Sequence, residues 1–61
     1  MTAKQLIKRV EAIGWVFDRQ KGSHKIYVHP KKPNQLSIPD HGKDDLGIGL
    51  LNALLKQAGL K

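Results

Sequence analysis

Cysteine is absent from this 61-residue chain, so neither a disulfide nor a thiolate-bound zinc ion braces the fold. That absence suits a reducing cytoplasm. Aromatic residues are scarce, with one Trp, one Tyr and one Phe, so the core has to be mostly aliphatic. No apolar run approaches the ~20 residues that cross a bilayer. The polar start, Met1-Thr2-Ala3-Lys4-Gln5, does not read as a signal peptide. A chain this short has no room for a second domain or an enclosed cofactor pocket. It reads as one domain over residues 1–61, stable by about 5 kcal/mol.

Acids are also few. Five Asp/Glu stand against eleven Lys/Arg, a net charge of +6, and the placement is uneven. From Arg19 to Pro39 there are five bases (Arg19, Lys21, Lys25, Lys31 and Lys32) and no acid. A basic middle implies an anionic partner, most often a nucleic acid. An anionic membrane is the weaker reading, because there is no basic amphipathic helix with bulky apolar anchors.

Thr2 and Gln5 have the spacing of a capping box. Leu6, Ile7, Val10 and Ile13 follow at helical intervals and Gly14 supplies a left-handed stop, which predicts a helix over roughly residues 3–13. Trp15–Gln20 alternates as a strand, with Trp15 and Phe17 as core residues. Lys21-Gly22-Ser23 turns the chain, and His24–His29 returns as a second strand. Pro30-Lys31-Lys32-Pro33-Asn34 reads as a rigid basic turn before a short third strand, Gln35–Ile38, that Pro39 ends. Leu51, Leu54, Leu55 and Ala58 then mark a second helix from about residue 47 to 58, closed by Gly59 and weakened at its start by Gly47 and Gly49. The fold class is α+β: an α-β-β-β-α chain with a three-stranded antiparallel sheet and both helices on one face. Double-stranded-RNA-binding (dsRBD-like) folds share that arrangement and leave the other sheet face open.

Gly22-Ser23-His24 is the stretch with chemical character. His24 stands where a tight turn enters a strand amid lysines, and histidine gives and takes protons near neutral pH. RNA carries its own nucleophile, the 2′-hydroxyl, so a minimal ribonuclease needs alignment, proton transfer and charge stabilisation. His24 is the candidate proton-transfer group. Lys21 and Lys25 are candidates for steadying the charge on the reacting phosphate. Gly22, Ser23, Lys31, Lys32 and Lys43 complete the candidate RNA contacts. Strand alternation sets Ile26 and Val28 on the face of His24, so an outward His24 requires either that Tyr27 point to the helices or that a bulge at Ser23 reset the pattern. His24, His29 and His41, without cysteine or a carboxylate cluster, do not make a metal site.

Laid out together, these pieces resemble the HicA family of small bacterial toxins. The resemblance rests on Gly14-Trp15, Gly22-Ser23-His24, His29-Pro30, Ile38-Pro39, Asp45-Leu46, and Leu55-Lys56-Gln57-Ala58-Gly59-Leu60, and so covers essentially the whole chain. It implies a cytoplasmic mRNA interferase that needs neither metal nor cofactor, with His24 as catalytic residue and Gly22 shaping its turn. It also implies silencing by a HicB-type antitoxin. The chain departs from the family pattern where relatives often carry Pro and Thr. Here Gly47 loosens the helix start and Leu50 lacks a hydroxyl that could cap the helix or touch a phosphate. The alternative reading is a non-catalytic RNA-binding module using the same basic sheet face.

Overall fold

In the computed structural model, which describes residues 1–40, 42 and 44–61, the chain runs α1 (Ala3–Ala12), β1 (Val16–Lys21), β2 (His24–His29), β3 (Lys32–Pro39), α2 (Ile48–Ala58). The strands form one antiparallel sheet in the order β1-β2-β3. This is the α+β, dsRBD-like arrangement read from the sequence.

Local chemistry sets the ends of both helices. The Gln5 backbone N–H donates to Thr2 Oγ1 at 3.3 Å, and the Thr2 N–H donates to Gln5 Oε1 at 2.9 Å, closing the capping box. Gly14 and Gly59 take left-handed φ values of 105° and 87° just past the two helices. A Cβ on Gly14 would also lie only 2.8 Å from His29 Nε2. The start of α2 is plainer. Gly47 occupies the cap position with no side-chain hydrogen bond, and Ile48 and Leu50 are exposed.

The core lies between the helices and one face of the sheet. It joins Ala3, Leu6, Ile7 and Val10 of α1 to Trp15, Tyr27, Leu36 and Ile38, and to Leu54 and Ala58 of α2. Trp15 ties the layers together, its indole N–H donating to the Ala58 carbonyl at 3.1 Å. Phe17 departs from the core role expected of it. It packs edge-on against Tyr27 at 5.7 Å between ring centroids but stays 48% exposed, because β1 is an outer strand that the helices do not cover.

β3 begins earlier than the sequence suggests, at Lys32, and the preceding turn shrinks to Pro30 and Lys31. Pro33 is tolerated because β3 is an edge strand and its pairing with β2 shifts register between Tyr27 and His29. A second shift, between Phe17 and Arg19, leaves Asp18 without a partner on β2. These are the irregularities of the sheet, and neither falls at Ser23. Tyr27 points to the helices, the other resolution open to the sequence reading.

Candidate functional site

The β1–β2 connection is a two-residue turn, Gly22-Ser23, between the paired residues Lys21 and His24. Gly22 has φ 61° at the first central position, the requirement of a II′ hairpin turn. The Asp40 N–H donates to the Ser23 carbonyl at 2.8 Å, which fixes the turn against the end of β3. His24 is therefore the first residue of a rigid strand, flanked by Lys21 on one side and Pro39 on the other.

Register decides what shares a face with His24. Tyr27 and Lys25 point to the helix side, since Lys25 pairs with the core residue Ile38. His24 and Ile26 point to the uncovered side, together with their partners Lys21, Arg19, Ser37 and Pro39. The His24 imidazole is exposed, and among the described residues no side chain or backbone group hydrogen-bonds to it.

His29 is the opposite case. Its Nδ1 accepts from the Lys31 N–H at 3.1 Å, so Nε2 carries the proton and donates to the Ile13 carbonyl at 2.9 Å. The ring also meets Trp15 edge-on at 5.3 Å. Both nitrogens are occupied, and the residue holds the end of the β2 strand to the loop after α1.

The candidate RNA contacts separate into groups. Lys21, Gly22 and Ser23 gather at the His24 turn. Lys31 and Lys32 lie at the other end of the hairpin, five residues along β2, or ~17 Å at strand spacing. Lys32 also faces the helix side: its Nζ lies 3.1 Å from where a Cβ on Gly59 would sit, beside the C-terminus of α2. Lys25, read as a charge stabiliser for the reacting phosphate, is instead on the helix side and paired with Asp40 at 3.0 Å. Lys43 and His41 lie outside the described residues. Among the described residues no group of three or more His, Cys, Asp or Glu is placed to hold a metal ion. A shallow groove on α2, lined by Asn52, Ala53, Lys56 and Lys61, shares no residue with the His24 turn.

Sequence reasoning missed Arg19 and Gln35. The Arg19 guanidinium is ion-paired with Asp18 and donates to Gln35 Oε1 at 3.3 Å. Register places this bridge from β1 to β3 over Ile26, which explains why Ile26 is only 7% exposed yet lies outside the core cluster. The bulge at Asp18 that puts Arg19 there has no signature in the sequence.

The Lys25–Asp40 pair has a pH signature. The Lys25 hydrogen bond, then the Gly42 N–H, hold the Asp40 carboxyl below its ordinary value. That contribution is present above about pH 4 and disappears as pH falls through the depressed value. Asp40 in turn raises Lys25, and burial, followed by the charge of Glu11, raises Tyr27. A raised value means that both contributions are complete below about pH 10 and are lost as pH climbs through the folded-state values. The thermal midpoint, followed by circular dichroism, should therefore drop above about pH 10, and Tyr27→Phe should flatten that arm. An unchanged alkaline arm in Tyr27→Phe would show that the phenol is not its source.

No helix of the described chain is long and apolar enough to cross a membrane. Residues 3–60 match the family described as the HicA toxin of bacterial toxin-antitoxin. The chain is also 40% identical over 53 residues, 85% of its own length and 83% of the relative's, to a protein of Pseudomonas fluorescens (strain Pf0-1) named "Probable mRNA interferase HicA". With an exposed histidine on a rigid turn at the edge of an uncovered sheet face, and a match that runs from the first helix to the last, the chain belongs to the HicA family of toxins from bacterial toxin-antitoxin systems.

Proposed function

We propose that this chain is an endoribonuclease, an mRNA interferase acting in the bacterial cytoplasm, and that His24 transfers the proton. The observation that supports this most directly is the contrast between its two described histidines: His29 has both ring nitrogens engaged, while His24 is exposed and unengaged on the open sheet face. A 2′-hydroxyl brought to that ring would attack the adjacent phosphorus. His24 takes its proton, the bond to the 5′-oxygen breaks as that oxygen takes a proton from solvent water, and a 2′,3′-cyclic phosphate and a 5′-hydroxyl end result. Lys21, paired beside His24, is the nearest cation on the same face for the developing charge. Gly22 and Ser23 allow the strand to approach the turn closely, while Lys31 lies where a longer RNA would run. Lys32 adds to the positive field from the helix side, while the charge of Lys25 is offset by Asp40. The reaction needs no metal, and a HicB-type antitoxin silences it.

The test is cleavage of single-stranded RNA by purified protein in the presence of a chelator, with and without the HicB-type protein. Cleavage that persists with chelator and stops with the antitoxin is the expected result. Cleavage abolished by the chelator would overturn metal independence, and cleavage unaffected by a bound antitoxin would overturn the silencing. Binding without any cleavage would favour the second reading, an RNA-binding module on the same face.

A further inference from the structure

A regular ladder continuing from the Phe17–Tyr27 pair would set Asp18 opposite Ile26 and Gln20 opposite His24. The uncovered face of β1 would then carry one carboxylate and one amide. The observed register is one residue later: Arg19 lies opposite Ile26 and Lys21 opposite His24. A single unpaired residue, Asp18, thus brings two cations, Arg19 and Lys21, onto the face that carries His24, with the Asp18 carboxylate kept beside Arg19. Bulges commonly re-aim side chains in this way.

The cation so delivered is held in place. Asp18 pairs with the Arg19 guanidinium from one side and Gln35 Oε1 accepts from its other nitrogen at 3.3 Å. An exposed ion pair of this kind adds little stability. What it supplies is a planar fork lying across the sheet, with donors left over for a ligand. From His24, the Arg19 backbone is two residues along and one strand across, about 8 Å at ordinary strand spacings, and its guanidinium reaches on from there toward Gln35. A strand whose reacting phosphate lies at His24 would therefore bring a neighbouring phosphate, farther along the open face, to the fork.

We infer that Arg19, turned onto the open face by the bulge at Asp18 and steadied by Gln35, is a positioning residue that holds a phosphate of single-stranded RNA adjacent to the one reacting at His24. The inference rests on the reading of that face as the RNA site and adds a second phosphate subsite to it. Lys21 serves the reacting phosphate; Arg19 sets the register of the strand.

The experiment separates binding from cleavage. Binding of a fluorescein-labelled single-stranded RNA oligonucleotide is measured by anisotropy in the His24→Ala protein over a range of salt concentrations. Adding Arg19→Ala should weaken binding at low salt about tenfold and reduce the log–log salt slope by about 0.7. Arg19→Lys should keep the slope but fall short of the parent affinity, because the charge remains and the fork is lost. Lys8→Ala, which removes one exposed charge from α1, controls for net charge and should change neither quantity comparably. Circular dichroism confirms that each variant is folded. Arg19→Ala indistinguishable from Lys8→Ala, or a parent that does not bind the oligonucleotide at low salt, would overturn the inference. Cleavage by the intact protein is scored separately, so absent cleavage with an intact Arg19 effect would remove the catalytic reading alone.

Discussion

His24→Ala should abolish RNA cleavage and growth arrest while leaving a folded protein that still binds RNA. Positioned proton transfer contributes ~10²–10⁴-fold to such reactions, and no other described histidine is free to replace it: both ring nitrogens of His29 are committed to Ile13 and Lys31. The substitution is structurally mild, because the ring is exposed and makes no hydrogen bond among the described residues. Surface changes of that kind fall within about 0.5 kcal/mol. Three readouts check the prediction: product formation on a denaturing gel, the thermal midpoint, and oligonucleotide anisotropy. A folded His24→Ala protein that cleaves at the parent rate would end the catalytic assignment. Loss of binding together with cleavage would recast His24 as a contact residue.

Trp15→Ala should unfold the domain at ordinary temperature. Trp15 is 2% exposed, is among the largest fully sheltered side chains, and joins the C-terminus of α2 to the start of the sheet through its N–H bond to Ala58. Truncating a buried Trp removes about 3–5 kcal/mol, against a total of roughly 5 kcal/mol for a domain of this length. It also leaves the Ala58 carbonyl without its partner and His29 without the ring it packs on. Trp15→Phe separates the contributions: it keeps most of the packing and loses the hydrogen bond, worth about 1 kcal/mol. Urea titration followed by circular dichroism should place Trp15→Phe between the parent and an Ala variant with little or no transition. A Trp15→Ala midpoint within a few degrees of the parent would mean that the layers are held together elsewhere.

Features carried by local chemistry were readable from the sequence, and features decided across the sheet were not. Thr2 with Gln5, the left-handed glycines at 14 and 59, the helical spacing of Leu6, Ile7 and Val10, and the Gly22-Ser23 turn each need only their neighbours in the chain. Pro33 reads as a strand breaker in isolation, yet an edge strand has a free side on which the missing N–H does no harm. Phe17 reads as core, and only its place on the outer strand shows why it is half open. The two described histidines are the same letter at opposite ends of one strand. Contacts from Ile13 and Lys31, neither implied by spacing, make one structural and leave the other free. Lys25 reads as an RNA contact because it adjoins His24, whereas alternation and Asp40 take it to the other side. Arg19 reads only as one base among five, because the bulge that re-aims it depends on how β1 meets β2.

The Asp18 irregularity has a second consequence, for behaviour in a crowded cell. An outer strand with a continuous row of free amide and carbonyl groups invites another chain to zip alongside it, the first step toward fibrils. A kinked rim bearing Asp18, Arg19 and Lys21 spoils that template, so the half-open Phe17 beside it is denied a flat neighbour on which to nucleate aggregation.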